Sequence, residues 1–138
     1  MEKYKLLYVE DDKIARTLLV RITTHITNLE VFEAVNAEEG LKKYIQFHPD
    51  IVITDMVMPD HNGVWLSEEI RKINNSVVIV IMSAYFNESD TIKSGIIMIP
   101  KPIDFEYLQS ILINCIEHVR LQREFNKLAK VIINGGLP

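Results

Sequence analysis

Residues 51–55 read Ile51-Val52-Ile53-Thr54-Asp55, a run of four β-branched residues that ends in a carboxylate. β-Branched residues favour strands, and a continuous apolar run is typical of a strand buried on both faces of a parallel sheet. A carboxylate that closes such a run would be partly desolvated without any gain in packing. The stretch therefore predicts a buried strand, and it makes Asp55 the first candidate for a functional residue.

Similar apolar runs recur on both sides of this strand and alternate with longer helical patterns. Strands are predicted over Lys5–Val9, Leu29–Val35, Ile51–Thr54, Val77–Met82 and Ile96–Ile99. Helices are predicted over Lys13–His25, Glu38–Phe47 and Gly63–Ile73, with a long final helix from about Phe105. Because strand and helix alternate in this way, right-handed crossovers are expected. The sequence thus predicts an α/β fold with a doubly wound, five-stranded parallel sheet.

The bulk composition is that of one globular domain, with 138 residues, 48% hydrophobic and 25% charged. A net charge of -4 argues against a nucleic-acid-binding surface. No apolar run reaches about 18 residues, and no basic amphipathic stretch suggests a membrane anchor. The single cysteine, Cys115, lies in an apolar helical pattern and is interpreted as a core residue rather than a redox thiol. We expect a cytoplasmic protein that contacts neither nucleic acid nor a membrane through this segment.

Polar residues without a packing role follow four of the predicted strands. They are Glu10-Asp11-Asp12 after the first strand, Asp55 after the third, Ser83 after the fourth and Lys101-Pro102 after the fifth. Because the carboxyl ends of parallel strands meet at one edge of the sheet, we expect these residues to converge. Adjacent carboxylates repel one another, and a ligand set of oxygens without histidine or cysteine favours a hard cation such as Mg²⁺.

This combination of groups points to phosphoryl chemistry. A carboxylate beside Mg²⁺ can attack a phosphoryl group to give an acyl phosphate, the role suggested for Asp55. Lys101 would offset the charge on the phosphoryl oxygens, and the Ser83 hydroxyl would hydrogen-bond to one of them. Each residue alone has a plainer interpretation: Asp12 as the N-cap of the first helix, Ser83 as a turn residue, and Lys101-Pro102 as a loop. Their joint occurrence in this order favours the phosphoryl site.

The same residues resemble the receiver domain of two-component response regulators, over roughly residues 4–118. The resemblance is carried by Leu7-Tyr8-Val9-Glu10-Asp11-Asp12, by Asp55-Met56-Val57-Met58-Pro59 with Gly63, by Ser83-Ala84 and by Lys101-Pro102. It implies a flavodoxin-like fold and a Mg²⁺-dependent phosphoryl transfer from a sensor histidine kinase or a phosphotransfer protein. It further implies a phosphorylation switch rather than an enzyme, with at most a slow autophosphatase activity.

The resemblance also implies a role for each matching position. Asp55 would be the phosphoacceptor, Lys101 would pair with the phosphoryl group, and Ser83 would follow that group on activation. The Lys101–Pro102 peptide bond would be cis. The metal ligands implied by the family are the carboxylates of Glu10, Asp11 and Asp55 and the backbone carbonyl of Val57.

One position and one segment depart from the family pattern. The residue three places before the lysine is usually Tyr or Phe, but here it is Met98, so an aromatic switch cannot operate at this position. Tyr85 or Phe86 is the alternative carrier of such a switch. The segment between the fourth and fifth strands is also several residues shorter than expected, which predicts a shortened fourth helix within Asn87–Ser94. In many relatives helix four, strand five and helix five form the output or dimer surface. We therefore expect signalling here without the usual form of that surface.

The chain continues beyond what a receiver needs, so we assign residues 1–118 to the receiver and 119–138 to a C-terminal helical extension or linker. Apolar residues on a 3-4 spacing extend the predicted fifth helix: Ile111, Leu121, Phe125, Leu128 and Ile132, with Asn114 and His118 in the gaps. Two interpretations stay open. The helix folds back on its own domain, or it pairs two chains in a homodimer or leads to an output domain outside this sequence. Gly135 is the candidate C-cap.

Three other functions are less consistent with the residues. A phosphohydrolase of the haloacid dehalogenase type needs a second acid two residues after its nucleophile, where this chain has Val57. A nucleotide or flavin module needs a glycine- or hydroxyl-rich loop after the first strand, where this chain has three acids that would repel phosphate. A degenerate receiver would lack some of the phosphorylation residues, and here all of them are present.

Overall fold

The computed structural model describes residues 2–85 and 95–135 of the chain. The strands in these residues are β1 (Tyr4–Val9), β2 (Leu29–Ala34), β3 (Ile51–Asp55), β4 (Val78–Ser83) and β5 (Ile96–Pro100). The helices are α1 (Lys13–Thr23), α2 (Ala37–Phe47), α3 (Gly63–Ile73) and α4 (Phe105–Ile133). Phe86 and the predicted fourth helix within Asn87–Ser94 lie outside the described residues. The helix labelled α4 is therefore the long C-terminal helix predicted from about Phe105.

The five strands form one parallel sheet in the order β2-β1-β3-β4-β5. This is the predicted doubly wound topology, and it places β3 at the centre with β1 and β4 as its neighbours. All five residues of β3 are buried, as expected for a strand covered on both faces. Because every strand runs the same way, the ends of β1, β3, β4 and β5 lie along one edge of the sheet.

Two apolar layers cover the sheet. Residues Ile51 and Ile53 of β3 belong to the cluster that packs under α1 and α4, whereas Val52 belongs to the cluster under α2 and α3. This alternation follows from the two-residue period of a strand. Each fully buried Ile or Leu side chain stabilises the fold by about 2 kcal/mol relative to an exposed one, so both layers contribute to holding the central strand in place.

The long helix α4 packs on the sheet with only its first half. Its buried residues are Leu108, Leu112, Cys115 and Val119, and most of its residues after Val119 are exposed. Cys115 is buried, as predicted for a core residue, and burial raises the pKa of its thiol to about 11. Gly135 has a φ of 71°, the left-handed conformation expected of a residue that ends a helix. Among residues 2–85 and 95–135, no helix combines the length and apolarity needed to cross a bilayer.

Some strand ends differ from the predicted ones because ladder partners, not local propensity, decide where a strand stops. Asp55 pairs with Met82 and so belongs to β3, although the sequence predicted a strand that ends at Thr54. Ser83 likewise pairs with Pro100 and is the last residue of β4. Both polar side chains are thereby held by regular strand geometry rather than by a loop.

Candidate functional site

Side chains from three strand ends meet at the carboxyl edge of the sheet. The Nζ atom of Lys101, directly after β5, lies 2.8 Å from Oδ1 of Asp55 at the end of β3. The same Nζ lies 3.8 Å from Oε1 of Glu10, directly after β1. The predicted convergence is therefore present, and Lys101 bridges two of the acidic residues.

Three carboxylates form the acidic part of the site. One oxygen each from Glu10, Asp11 and Asp55 lies within 4.8 Å of the other two. Glu10 and Asp55 are only 2% and 7% exposed, whereas Asp11 is exposed. The buried Oε2 of Glu10 has no hydrogen-bond partner within the described residues. Burial, and then the neighbouring Asp55, raise the pKa of Glu10 well above its usual value.

These observations fit a bound hard cation. Lys101 forms ion pairs with two of these three carboxylates, Glu10 and Asp55. An orphaned buried oxygen costs free energy until it gains a partner. A cation among the three carboxylates would give Glu10 Oε2 that partner and offset the repulsion. All the donors are oxygens, which is the ligand type that hard divalent ions prefer.

The loop after β3 folds tightly over Asp55. The Met56 amide donates to Oδ1 of Asp55 at 2.9 Å, and the Gly63 amide donates to the Met56 carbonyl at 2.8 Å. A Cβ atom at Gly63 would lie 2.7 Å from the Asp55 carbonyl oxygen, so only glycine fits there. Val57, in the middle of this loop, is 72% exposed. The loop thus buries most of Asp55 and presents the Val57 side chain to solvent.

A second set of contacts ties this loop to α2. The carboxylate of Asp60 accepts hydrogen bonds from the Ala37 and Glu38 amides, at 3.1 and 2.8 Å. It therefore caps α2 together with Asn36, whose side chain accepts from the Glu39 amide. The sequence-based reasoning missed Asp60, because a cap supplied from a distant loop leaves no local pattern.

The Ser83 hydroxyl is already engaged in a turn. It donates to the Tyr85 carbonyl at 2.8 Å and accepts from the Tyr85 amide at 3.1 Å. The Tyr85 side chain is 89% exposed, while Met98 is buried in the core under α2 and α3. Ser83 is thus the last residue of β4, and its side chain makes the hydrogen bonds of the turn that follows.

Two further predictions about the site are confirmed. Asp12 is the N-cap of α1, where its side chain accepts from the Ile14 and Ala15 amides. The Lys101–Pro102 peptide bond is cis. Arg16, which the sequence-based reasoning did not single out, donates from Nη1 to the Glu10 carbonyl at 2.8 Å.

A comparison with known families identifies the family to which the chain belongs. The sequence profile of the response regulator receiver domain matches residues 6–113, most of the chain. The chain belongs to the receiver domain family. Receivers are phosphorylation switches of two-component signalling, and that is the function of this chain. In the family they typically accept a phosphoryl group and interact with histidine kinases and phosphotransfer proteins.

Individual relatives show how much of each protein the receiver represents. This chain is 34% identical to chemotaxis protein CheY of Thermotoga maritima over 94 residues, which cover 66% of this chain and 78% of that protein. It is 31% identical to the DNA-binding transcriptional regulator NtrC of Azospirillum brasilense, covering 81% of this chain but only 24% of that protein. The receiver thus spans most of a small relative and about a quarter of a large one.

Solved structures agree with the fold. The N-terminal domain of an uncharacterised protein from Wolinella succinogenes is 30% identical and superposes with a TM-score of 0.75, covering 87% of this chain and 98% of that one. The receiver domain of the hybrid histidine kinase CckA is 26% identical with a TM-score of 0.70, covering 80% of this chain and 97% of that one.

Proposed function

We propose that Asp55 accepts a phosphoryl group from a sensor histidine kinase or a phosphotransfer protein, in a reaction that depends on Mg²⁺. The observation that carries the proposal is the 2.8 Å contact between Lys101 Nζ and Asp55 Oδ1, beside the carboxylates of Glu10 and Asp11. The chain acts as a switch and not as an enzyme with a released product, beyond slow loss of its own phosphoryl group.

The metal ligands in this proposal are the carboxylates of Glu10, Asp11 and Asp55 and the carbonyl of Val57. When bound, Mg²⁺ supplies positive charge that both the carboxylates and the phosphoryl oxygens need. Its fit rests on the orphaned Oε2 of Glu10 and on a donor set made only of oxygens.

Asp55 is oriented for attack by contacts to one of its two oxygens. Lys101 and the Met56 amide both reach Oδ1, so Oδ2 is the oxygen we assign to attack on phosphorus. As the Oδ2–P bond forms, the P–N bond of the donor phosphohistidine breaks. The imidazole leaves with that electron pair and takes a proton from water. Lys101 then lies next to the new phosphoryl oxygens, whose charge it stabilises.

Ser83 has to exchange partners if it is to follow the phosphoryl group. Its hydroxyl proton is donated to the Tyr85 carbonyl, and only one proton is available. Donation to a phosphoryl oxygen therefore removes one of the two hydrogen bonds between Ser83 and the Tyr85 backbone and leaves the Tyr85 carbonyl without the Ser83 proton. We propose that this exchange of hydrogen-bond partners transmits the phosphorylation signal. It would replace the aromatic residue that the family usually has at the position of Met98.

We also propose that the receiver forms a homodimer through the part of α4 that lies in the extension, residues 119–133. The apolar stripe on α4 consists of Leu121, Phe125, Leu128 and Ile132, which are 53%, 69%, 56% and 49% exposed. Leu121 lies two residues beyond the buried Val119, about 200° around the helix, so the stripe points away from the domain. The helix can therefore pack on its own sheet and on a second copy with different faces.

Sedimentation of the whole chain, with and without beryllofluoride and Mg²⁺, tests the homodimer. A dimer that Leu128→Glu converts to a monomer supports it, with Lys130→Glu as the exposed control on the same helix. A strict monomer in both states contradicts it. We further propose that the receiver is cytoplasmic. We also propose that it makes no nucleic-acid contact of its own, because its net charge is -4.

Intact mass spectrometry tests the phosphoryl acceptor. We expect the wild-type chain to gain a phosphoryl group from acetyl phosphate and Mg²⁺, and Asp55→Asn to gain none. A complex with beryllofluoride and Mg²⁺ should form in the wild type only. A wild-type chain that shows no mass gain and forms no beryllofluoride complex would refute the proposed function.

A further inference from the structure

The acidic loop after β1 is fastened at three points. The Glu10 amide donates to the Ala34 carbonyl at 3.0 Å, which extends the β1–β2 ladder by one bond. Asp12 caps α1. Between them, Nη1 of Arg16 donates to the Glu10 carbonyl at 2.8 Å. The loop that presents Glu10 and Asp11 is thus held by one strand, one helix end and one arginine.

Arg16 is itself oriented by β2. Its Nε lies 3.3 Å from Oε1 of Glu33, and its side chain is only 15% exposed. The guanidinium therefore donates a hydrogen bond to a backbone carbonyl and forms an ion pair with a carboxylate. A planar group held by two such contacts is rigid, which is the property that suits arginine to such positions.

The bond to the Glu10 carbonyl acts on both metal-ligand candidates in this loop. The carbonyl of Glu10 and the amide of Asp11 belong to the same planar peptide, so fixing one oxygen fixes the plane between the two residues. The backbone from which both side chains project is thereby constrained. This matters most for Asp11, which is exposed and has no core packing to hold it.

We propose that Arg16, oriented by Glu33, is a positioning residue that keeps the carboxylates of Glu10 and Asp11 directed at the cation shared with Asp55. The inference rests on the metal site of the proposed function. Groups that orient the ligands of a metal typically change its affinity by about 10- to 100-fold when removed.

The sign of the effect separates positioning from simple charge. Arg16 carries a positive charge near a cation site, so removing it would strengthen Mg²⁺ binding if electrostatics dominated. If Arg16 instead positions the two carboxylates, its removal weakens Mg²⁺ binding. Arg16→Lys retains the charge but lacks the planar fork, so positioning predicts an intermediate affinity and electrostatics predicts no change.

The experiment measures the Mg²⁺ dissociation constant from the rise of the thermal unfolding midpoint with Mg²⁺ concentration, followed by circular dichroism. We expect Arg16→Gln to weaken Mg²⁺ binding about tenfold, in the lower part of the range for such groups, and Glu33→Gln about threefold. Arg21→Gln, an exposed arginine in the last turn of the same helix, should match the wild type. If Arg16→Gln does not fold, Arg16→Lys decides the matter, because positioning predicts weaker Mg²⁺ binding in it and electrostatics predicts no change.

The outcomes distinguish this inference from the proposed function. A wild type that Mg²⁺ does not stabilise removes the metal site and the proposed function with it. A wild type that binds Mg²⁺ while Arg16→Gln binds equally well or more tightly overturns the positioning role alone. Unchanged Mg²⁺ affinity in Glu33→Gln overturns the part assigned to Glu33.

Discussion

The central strand carries an aspartate at each end, and the two ends differ sharply. Asp50 directly precedes β3, and Asp55 is its last residue. Each aspartate contacts a cation: Nη2 of Arg123 lies 3.0 Å from both oxygens of Asp50, and Nζ of Lys101 lies 2.8 Å from Oδ1 of Asp55. By residue type and contact distance alone, the two pairs look alike.

The surroundings of the two pairs separate them. At the Asp50 end Arg123 also lies 3.9 Å from Oε1 of Glu2, which a second cation, Lys127, reaches at 4.0 Å. The Lys5 amide donates to Oδ2 of Asp50 at 2.9 Å. Arg123 also lies over the Tyr4 ring at 4.5 Å and donates to the Lys3 carbonyl. At the Asp55 end three carboxylates lie together, Lys101 pairs with two of them, and a buried oxygen of Glu10 is left without a partner within the described residues. The first pair fastens α4 to the sheet, and the second retains unsatisfied charge that a ligand can use.

The largest expected effect is at Lys101. Lys101→Ala removes the charge that stabilises the phosphoryl oxygens, and we expect phosphorylation to slow about 100-fold or more. The rate of mass gain with acetyl phosphate at saturating Mg²⁺ measures this. Lys127→Ala, an exposed lysine near the Asp50 end, should leave the rate unchanged. Equal rates in Lys101→Ala and wild type would show that the two ends do not differ as described.

The next effect is at Asp50, where we expect stability to fall and phosphorylation to persist. Asp50→Asn weakens the hydrogen bonds to Arg123, and bonds to a charged group contribute about 2 kcal/mol. Urea denaturation should show that loss in the free energy of unfolding. Glu117→Gln breaks an exposed pair with Arg120 and should leave the free energy of unfolding nearly unchanged. If Asp50→Asn also abolished phosphorylation, the division between fastening and reactive ends would be wrong.

A pH dependence of metal-free stability tests the unsatisfied charge at Glu10. Because the folded pKa of Glu10 is raised to about 8 from 4.5, the folded chain binds an extra proton between these values. This contribution to stability is complete below pH 4.5 and is lost as pH rises through about 8. Glu10→Gln cannot lose a proton, so in EDTA at pH 9 it should be more stable than wild type by about 1–2 kcal/mol, reversing the sign seen at Asp50.

Parallel urea-denaturation measurements at pH 4 and pH 9 provide the control for this prediction. The difference between Glu10→Gln and wild type should shrink at the lower pH, where Glu10 is protonated in both states. A difference that is the same at both pH values would contradict the raised pKa.

The smallest effect concerns the ring under Arg123. Tyr4→Leu keeps an apolar side chain in the core but removes the cation–π contact, which contributes about 0.5–1 kcal/mol. We expect a fall of that size in the free energy of unfolding, with Mg²⁺ affinity unchanged. A change in Mg²⁺ affinity would show that the two ends of β3 are coupled through the strand.

The reactive end was more predictable from the sequence than the fastening end. Asp55, Glu10, Asp11 and Lys101 stand out because each polar residue follows an apolar run, which is a local pattern. The Asp50–Arg123 pair joins residues 73 positions apart, and no local period records it. The alternation of apolar runs predicted the sheet and its order of elements, while the exact strand ends depended on ladder partners such as Met82 for Asp55.

The C-terminal helix shows the same division. The apolar pattern around Cys115 predicted a core position there, and the burial of Cys115 confirms it. The two interpretations of the later part of the helix were left open by the sequence, because a 3-4 spacing describes a face and not what covers it. The structure adds that this face points away from the domain. The boundary between receiver and extension after residue 118 stays a prediction.

The most direct measurement locates the phosphoryl group on the chain. After incubation with acetyl phosphate and Mg²⁺, borohydride reduces an aspartyl phosphate to an alcohol, and peptide mass spectrometry finds the reduced residue. We predict reduction at Asp55 alone, in the wild type and in Asp50→Asn alike. Reduction at Asp11, Asp12 or Asp50, or no reduced residue in a chain that binds Mg²⁺, would contradict the account.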